Sequence, residues 1–284
     1  MKQARIASFS LVASGLVAAL ASLGAGAPAA APAPGPLVVH EWGTYTSFAG
    51  ANGALLEGMG HEEEPLPAFV YARMGHEPSP FRAFGDPSYT TPIRHVHGKM
   101  ETPVIYFHTK TPRHVHVRVD FPEGLLTQYY PVASAVGPAV TSDDVDLTAI
   151  PGSFLEWDAD LVPGGAGAAI PGVGAADPYG FARDVDAALV RAAGAGRVEE
   201  ERYLFYRGLG RFTPPLESYG ARADALLLVN GGPAVPAAFA LDARESTARF
   251  VPLGVLSPGA RPVDLSSAPF RAKDAVVADL SAAV

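Results

Sequence analysis

Apolar residues in this chain recur mostly at every second position, in short runs closed by glycine and proline. That period is the signature of half-buried β-strands. Residues 37–49 are the first such run. The clearest is TPVIYFHTKTPRHVHVRVDF, residues 102–121. In its first half Ile105 and Phe107 alternate with Tyr106 and His108. In its second half Val115, Val117, Val119 and Phe121 alternate with His114, His116, Arg118 and Asp120. Lys110-Thr111-Pro112 separates the halves, so the stretch reads as a β-hairpin. Burial sets its register: Phe107 opposite Val115, and Ile105 opposite Val117. A slip of one residue would turn histidines onto the apolar face. Further runs at 124–136, 153–162, 201–212, 225–242 and 248–256 also read as strands or, for the first, as strand or loop.

Helical spacing occurs twice. Asp177 suits a helix cap and Pro178 a first turn, and Phe181, Val185, Leu189 and Ala192 form a stripe over 178–193. After Pro269, the residues Val276, Val277, Leu280 and Val284 follow the same spacing. No capping residue or polar finish closes that second run, so residues 271–284 read as the start of a C-terminal helix, either truncated or a short terminal helix docked on the core. Residues 50–100 are rich in turn chemistry and broken by prolines such as Pro65, Pro67 and Pro78. The pattern predicts a mainly β chain: β-sandwich-like antiparallel sheets, long loops and one or two peripheral helices. One β-rich domain is expected over 37–270, with a Gly/Pro/Ala-rich insertion and helix at about 137–196.

Composition adds an address. Lys2 and Arg5 precede an uncharged apolar run over 6–25, and Ala27-Pro28-Ala29 fits a signal-peptidase site. Residues 1–29 therefore read as a signal peptide and 30–36 as an Ala/Pro linker, which makes the protein periplasmic or secreted. An uncleaved segment would be its one membrane attachment. The net charge of −8 and scattered basic residues argue against a nucleic-acid partner. The absence of cysteine removes thiol catalysis and Cys-type zinc sites.

Two sets of residues carry candidate chemistry. His40-Glu41-Trp42 opens the first strand. His40 and Trp42 share one side and Glu41 faces the other, so His40 and Glu41 are candidate catalytic groups and Trp42 a ligand-stacking surface. The competing reading is a core Trp beside a hydrogen-bonded His. The expected hairpin would also gather His108, His114 and His116 with Tyr106 and Arg118 on its second face. Three imidazoles at that spacing suit a divalent transition metal such as zinc or copper, with Tyr106 and Arg118 as ligand contacts. The competing reading is a solvated sheet face. His95-Val96-His97, and His61 and His76 beside acids, read as basic or solvated loops. Glu101, Tyr129, Tyr130, Tyr206 and Arg207 could line a glycan groove, though core or interface packing is the favoured role for each. Asp143 to Asp146 resemble calcium ligands in type only.

The blocks VVHEWGTYTSFAG, GKMETPVIYFHT, VRVDFPEGLLTQYYP and ERYLFYRGLGRF together resemble an uncharacterised family of exported bacterial proteins with a His-Glu-Trp-Gly-Thr signature. The resemblance spans scattered blocks from 38 to 212. It implies export and a longer C-terminus, and supplies no activity. The expectation is an exported binding or structural protein of the cell envelope, with a glycan or another envelope protein as partner. The alternative is a metal-dependent hydrolase or oxidoreductase built on the hairpin histidines.

Overall fold

The computed structural model describes residues 35–57, 66–73, 93–101, 103–140, 145–174 and 177–283. The signal segment, most of the linker, His61, His76, Asp143 and Asp144 lie outside the described residues. The protein is mainly β, with several antiparallel sheets and two α-helices. It forms two compact units instead of the one domain expected over 37–270. Unit 1 takes in residues up to 46 and 58–212; unit 2 takes in 47–57 and 213–284. Among the described residues no helix is long and apolar enough to cross a membrane.

The strands of unit 1 are β1 (Val38–Trp42), β2 (Tyr45–Ser47), β3 (Tyr71–Ala72), β4 (Ile93–Arg94), β5 (Gly98–Met100), β6 (Val104–His108), β7 (Arg113–Pro122), β8 (Gly124–Tyr130), β9 (Ala135–Gly137), β10 (Val145–Asp146), β11 (Gly152–Val162), β12 (Leu189–Gly194), β13 (Arg197–Glu201) and β14 (Leu204–Gly210). One sheet of seven strands is centred on β14. β8 lies along one side of β14, and β6 and β5 lie end to end along the other. β1 pairs with β6 and β2 with β5, so residues 38–47 make one edge, interrupted at Gly43 and Thr44. The second sheet runs β13-β12-β11-β7, with β9 also on β11.

The expected hairpin does not form. β6 pairs with β1 and β14, while β7 pairs with β11 over ten register positions. The chain crosses from one sheet to the other at residues 109–112. There Thr109 Oγ1 donates to the Thr111 carbonyl at 2.9 Å and accepts from Arg113 Nε at 3.0 Å. The apolar sets do face each other, as burial requires, but across a sandwich rather than side by side. Ile105, Phe107, Leu204 and Tyr206 from one sheet meet Val115, Val117, Leu155 and Trp157 from the other in a single core. Alternation specifies which side chains point inward; it leaves open whether the opposing layer is a neighbouring strand or a second sheet.

The expected helix over 178–193 is also cut short. Asp177 does cap α1 (Pro178–Phe181), accepting from the Tyr179 amide at 2.9 Å. The chain then loops, and Leu189 to Gly194 join the sheet between β11 and β13. Val190 and Ala192 enter the core while Arg191 points out. The same residues satisfy a period of two when a strand is available to pair with, and tertiary pairing overrides the helical stripe. Residues 137–196 are therefore no insertion, since they include the central strand of the second sheet.

Unit 2 contains β15 (Leu216–Arg222), β16 (Ala225–Asn230), β17 (Val235–Ala243), β18 (Thr247–Leu256), β19 (Gly259–Asp264), β20 (Arg271–Ala272) and α2 (Lys273–Ala283). Its two sheets run β15-β16-β19 and β17-β18-β20. Leu228, Ala240, Leu253, Leu256, Val263 and Leu265 form their core. The run at 225–242 is two strands, because Asn230 closes a turn. Its buried amide donates to the carbonyls of Pro233 and Leu256 at 2.8 and 3.0 Å, and accepts from Gly232. On α2, Val276 is buried and Val277 exposed.

The two-faced assignment of β7 and β11 predicts unequal costs. Leu155→Ala, at a fully buried site, loses about 2–5 kcal/mol of stability. His116→Ala, on the outer face, loses less than about 1 kcal/mol. Urea-unfolding midpoints measure both, and a His116→Ala cost matching that of Leu155→Ala would refute the assignment.

Candidate functional site

The face of the seven-stranded sheet turned away from the sandwich core is lined by the other half of the alternation. β1 contributes His40 and Trp42, β6 contributes Val104, Tyr106 and His108, and β14 contributes Phe205 and Arg207. Trp42 lies opposite Val104, and His40 opposite Tyr106. Phe205 lies opposite Val104 on the other side of β6. Tyr203, just before β14, stacks edge-on to Tyr106 at 5.7 Å. Sequence alternation therefore assembles an aromatic surface from three neighbouring strands.

Residues 177–188 roof this surface. They have only one helical turn, so their backbone carbonyls need partners from elsewhere. The sheet supplies them. Tyr106 Oη donates to the Ala182 carbonyl at 2.7 Å, and Tyr203 Oη to the Tyr179 carbonyl at 2.9 Å. His108 Nδ1 lies 2.9 Å from the Asp186 carbonyl. A carbonyl only accepts, so Nδ1 carries the proton. The Ala188 amide donates to the Phe107 carbonyl at 2.8 Å.

An ion pair fixes the roof. Arg183 forks onto Glu201, Nε to Oε1 at 3.0 Å and Nη2 to Oε2 at 2.6 Å, and also donates to the Pro171 carbonyl at 2.7 Å. Glu201 has no solvent exposure. Burial pushes its carboxyl above the ordinary range, and the Arg183 guanidinium and the Arg202 amide oppose that shift. The Arg183 guanidinium also sits 5.4 Å from the Tyr179 ring centre.

Between sheet and roof lies a cavity of about 640 Å³, lined by Trp42, Tyr106, Tyr179, Phe181, Phe205 and Arg207 among others. Its size falls in the range of small-molecule sites. Trp42 and Phe181 are 55% and 67% exposed, which makes them stacking surfaces open to solvent. Burial raises the hydroxyls of Tyr106, Tyr179 and Tyr203 above their usual value. These tyrosines remain neutral donors at any physiological pH. Asp177 is taken up by its helix cap. The described lining is mostly aromatic and aliphatic, with Arg207 and Asp177 as its charged members.

The residues singled out by sequence separate into three places. His40, Trp42, Tyr106 and His108 come together on the outer face of the first sheet. The His40 and His108 rings meet edge-on at 4.8 Å, and His108 Nε2 is buried without a hydrogen-bond partner. Glu41 points to the opposite side, where it accepts from the Tyr206 hydroxyl. Burial first, and then Glu41, raise the Tyr206 hydroxyl far above its usual value. Glu41 therefore shares no site with His40.

His114, His116 and Arg118 lie on the outer face of the second sheet, across the core from His108. Each is matched to an acid on β11: His114 Nδ1 to Asp160 and His116 Nδ1 to Asp158, both at 2.9 Å, and Arg118 to Glu156. Arg118 also bonds Asp120 on its own strand and covers the Phe154 ring at 4.1 Å. Beyond Asp160, Arg191 pairs with Glu200. The expected three-histidine cluster therefore does not exist, because two layers of inward apolar side chains separate His108 from the other two. Among the described residues no group of three or more His, Asp or Glu is placed to hold a metal ion. The remaining candidates are accounted for locally. His97 Nδ1 meets the Arg211 carbonyl at 3.1 Å, and Asp146 caps a 3-10 turn through the Thr148 amide.

Sequence reasoning missed Tyr179, Phe181, Tyr203 and Phe205 and gave Arg207 only a place in a possible glycan groove. Alternation in ERYLFYRGLG already puts Tyr203, Phe205 and Arg207 on one face; what it lacked was the roof. The chain matches no protein-family model, and neither curated proteins nor solved structures yielded a similar protein.

The buried ion pair makes the roof sensitive to pH. Arg183→Met leaves Glu201 buried without its ion-pair partner, held only by the Arg202 amide, which costs about 3–5 kcal/mol near neutral pH. Glu201 has its folded pKa above its unfolded one, so the folded state binds the proton more tightly. Its contribution therefore becomes more favourable as pH falls towards the ordinary carboxylate range and less favourable as pH rises. Thermal melts of Arg183→Met from pH 7 down to pH 5 should show the deficit from wild type narrowing. A constant deficit would remove Glu201 as its source.

Proposed function

We propose that this chain is an exported binding protein whose ligand is a largely apolar, ring-bearing group held in the cavity of unit 1. One observation carries the reading: aromatic side chains from three strands and a pinned roof enclose a cavity with exposed Trp42 and Phe181 on its lining. Two of the polar groups around it, the Tyr106 and Tyr203 hydroxyls, are already engaged by backbone carbonyls, while the buried Tyr179 hydroxyl has no hydrogen-bond partner. A free sugar, which needs many hydrogen-bond partners for its hydroxyls, suits this lining less well than an apolar ring does. Export is supported by the N-terminal segment. Three of the four blocks that resemble the exported bacterial family supply residues to the cavity: His40-Glu41-Trp42-Gly43-Thr44 gives Trp42, the block at 98–109 gives Val104 and Tyr106, and the block at 201–212 gives Tyr203, Phe205 and Arg207.

The two tryptophans make a direct assay. Trp42 is exposed and Trp157 fully buried. N-phenyl-1-naphthylamine, an apolar ring probe, should bind saturably with quenching of Trp42 emission. Trp42→Phe should abolish that quenching. Ala182→Phe, which fills the cavity, should weaken binding by about tenfold or more, equivalent to about 1.4 kcal/mol, without a matching loss in thermal stability. Unsaturable binding, or binding indifferent to Ala182→Phe, would reject the cavity as the site.

A further inference from the structure

The cavity opens beside a strand edge that is available for pairing. β1 pairs with β6 alone among the described residues. An antiparallel neighbour engages the backbone groups of alternate residues, so the rest of the β1 amides and carbonyls point away from β6. Natural sheets guard such edges with proline, lysine, bulges, very short strands, a covering segment or inward-pointing charges. β1 has five residues in unbroken register, with no proline, lysine or bulge. Its one acid, Glu41, is turned to the core side and held by Tyr206. On the other side it exposes Val38 and Trp42, at 46% and 55%.

Trp42 belongs to this edge and to the cavity wall at once. A strand added to β1 would place every second side chain on the face that carries His40 and Trp42. Opposed side chains in such a pair start roughly 4.5 to 5.5 Å apart. A residue opposite Trp42 or His40 therefore begins beside the cavity. An open edge that binds backbone, next to a pocket that takes an alternate side chain, is the arrangement of peptide recognition by strand addition.

We infer that the ligand is an extended polypeptide segment that pairs with the β1 edge and seats an apolar or aromatic side chain in the cavity. This rests on the reading of the cavity as a ligand site and specifies what enters it. The lining is mostly aromatic and aliphatic, with Arg207 and Asp177 as its charged members, and favours an apolar or aromatic side chain. The backbone supplies the remaining affinity and makes the site tolerant of flanking sequence.

The test uses full-length mature protein and capped seven-residue peptides of alternating Thr and Lys, with Phe, Trp, Leu or Ala at the centre. A second set carries N-methyl groups at alternate backbone amides, in both phases. Affinity is read from Trp42 emission, and amide hydrogen exchange is followed at residues 38–42. The Phe, Trp or Leu peptide should bind at least about tenfold more tightly than the Ala peptide and than its own N-methylated form in one phase. The amides of residues 38–42 should slow on binding. N-methylated peptides of both phases binding as well as their parents, or unchanged exchange at 38–42, would overturn strand addition. So would no peptide binding while N-phenyl-1-naphthylamine still fills the cavity, and the cavity reading would then stand. Failure of both probes would reject the cavity reading and this inference together.

Discussion

Unit 1 is organised by the burial of two alternating strips against each other across one core. Ile105 and Phe107 on one sheet, and Val115, Val117 and Val119 on the other, are joined by a four-residue crossing. Once these inward positions are taken, every other residue of β6 and β7 is committed to an outer face. On the first sheet that face becomes an aromatic surface that a roof can cover. On the second it becomes a row of His–Asp and Arg–Glu pairs open to water. Exposed pairs of that kind add little stability, about 0.2–1 kcal/mol each. Their arrangement matches each of these β7 side chains to an acid on β11. The difference between the two outer faces comes from what covers them.

The roof explains why so many tyrosines surround the cavity. A segment without regular structure leaves carbonyls that must find donors when buried. Tyrosine brings a donor on a large apolar body, so Tyr106 and Tyr203 hold the roof and face it with aromatic surface. The Arg183–Glu201 pair adds a directional clamp that joins a fully buried carboxylate to a partly buried guanidinium. A buried ion pair is a poor source of net stability but strongly favours the one geometry that satisfies it. The cavity is therefore kept open by hydrogen bonds at its margin, and the side chains that define its shape are also those that hold its cover in place.

Much of this was readable from periodicity, and the limits of that reading are physical. The inward set of β6, β7 and β11 follows from alternation alone. Alternation is local, however, and pairing is not. The register argument that set Phe107 opposite Val115 held as a statement about shared burial and failed as a statement about adjacency. The histidine cluster failed with it, since His108 and His114 point out of opposite sides of the sandwich. The stripe at 178–193 misled for the related reason that Leu189 and Ala192 fit a helix in isolation, while beside β11 they belong to a strand. Trp42 illustrates the reverse case: its type suggested a packing anchor, while its place on an edge strand leaves it exposed. The cavity itself could not be read, because its floor comes from three strands distant in sequence and its roof from a fourth segment.

The stretch His40-Glu41-Trp42 gains a division of labour from its position. At an edge, neighbouring side chains serve opposite sides, and the two sides here have different needs. Glu41 faces inward, where Tyr206 satisfies it, and an inward charge at an edge discourages indiscriminate sheet-to-sheet pairing. His40 and Trp42 face the cavity side, where an aromatic ring improves recognition. An edge left open with no guard would aggregate, and an edge fully guarded would bind nothing. Placing the charge on one side of β1 and the ring on the other separates these demands. On the proposed reading, the backbone stays available, while the cavity decides which incoming strand gains enough from its side chain to remain.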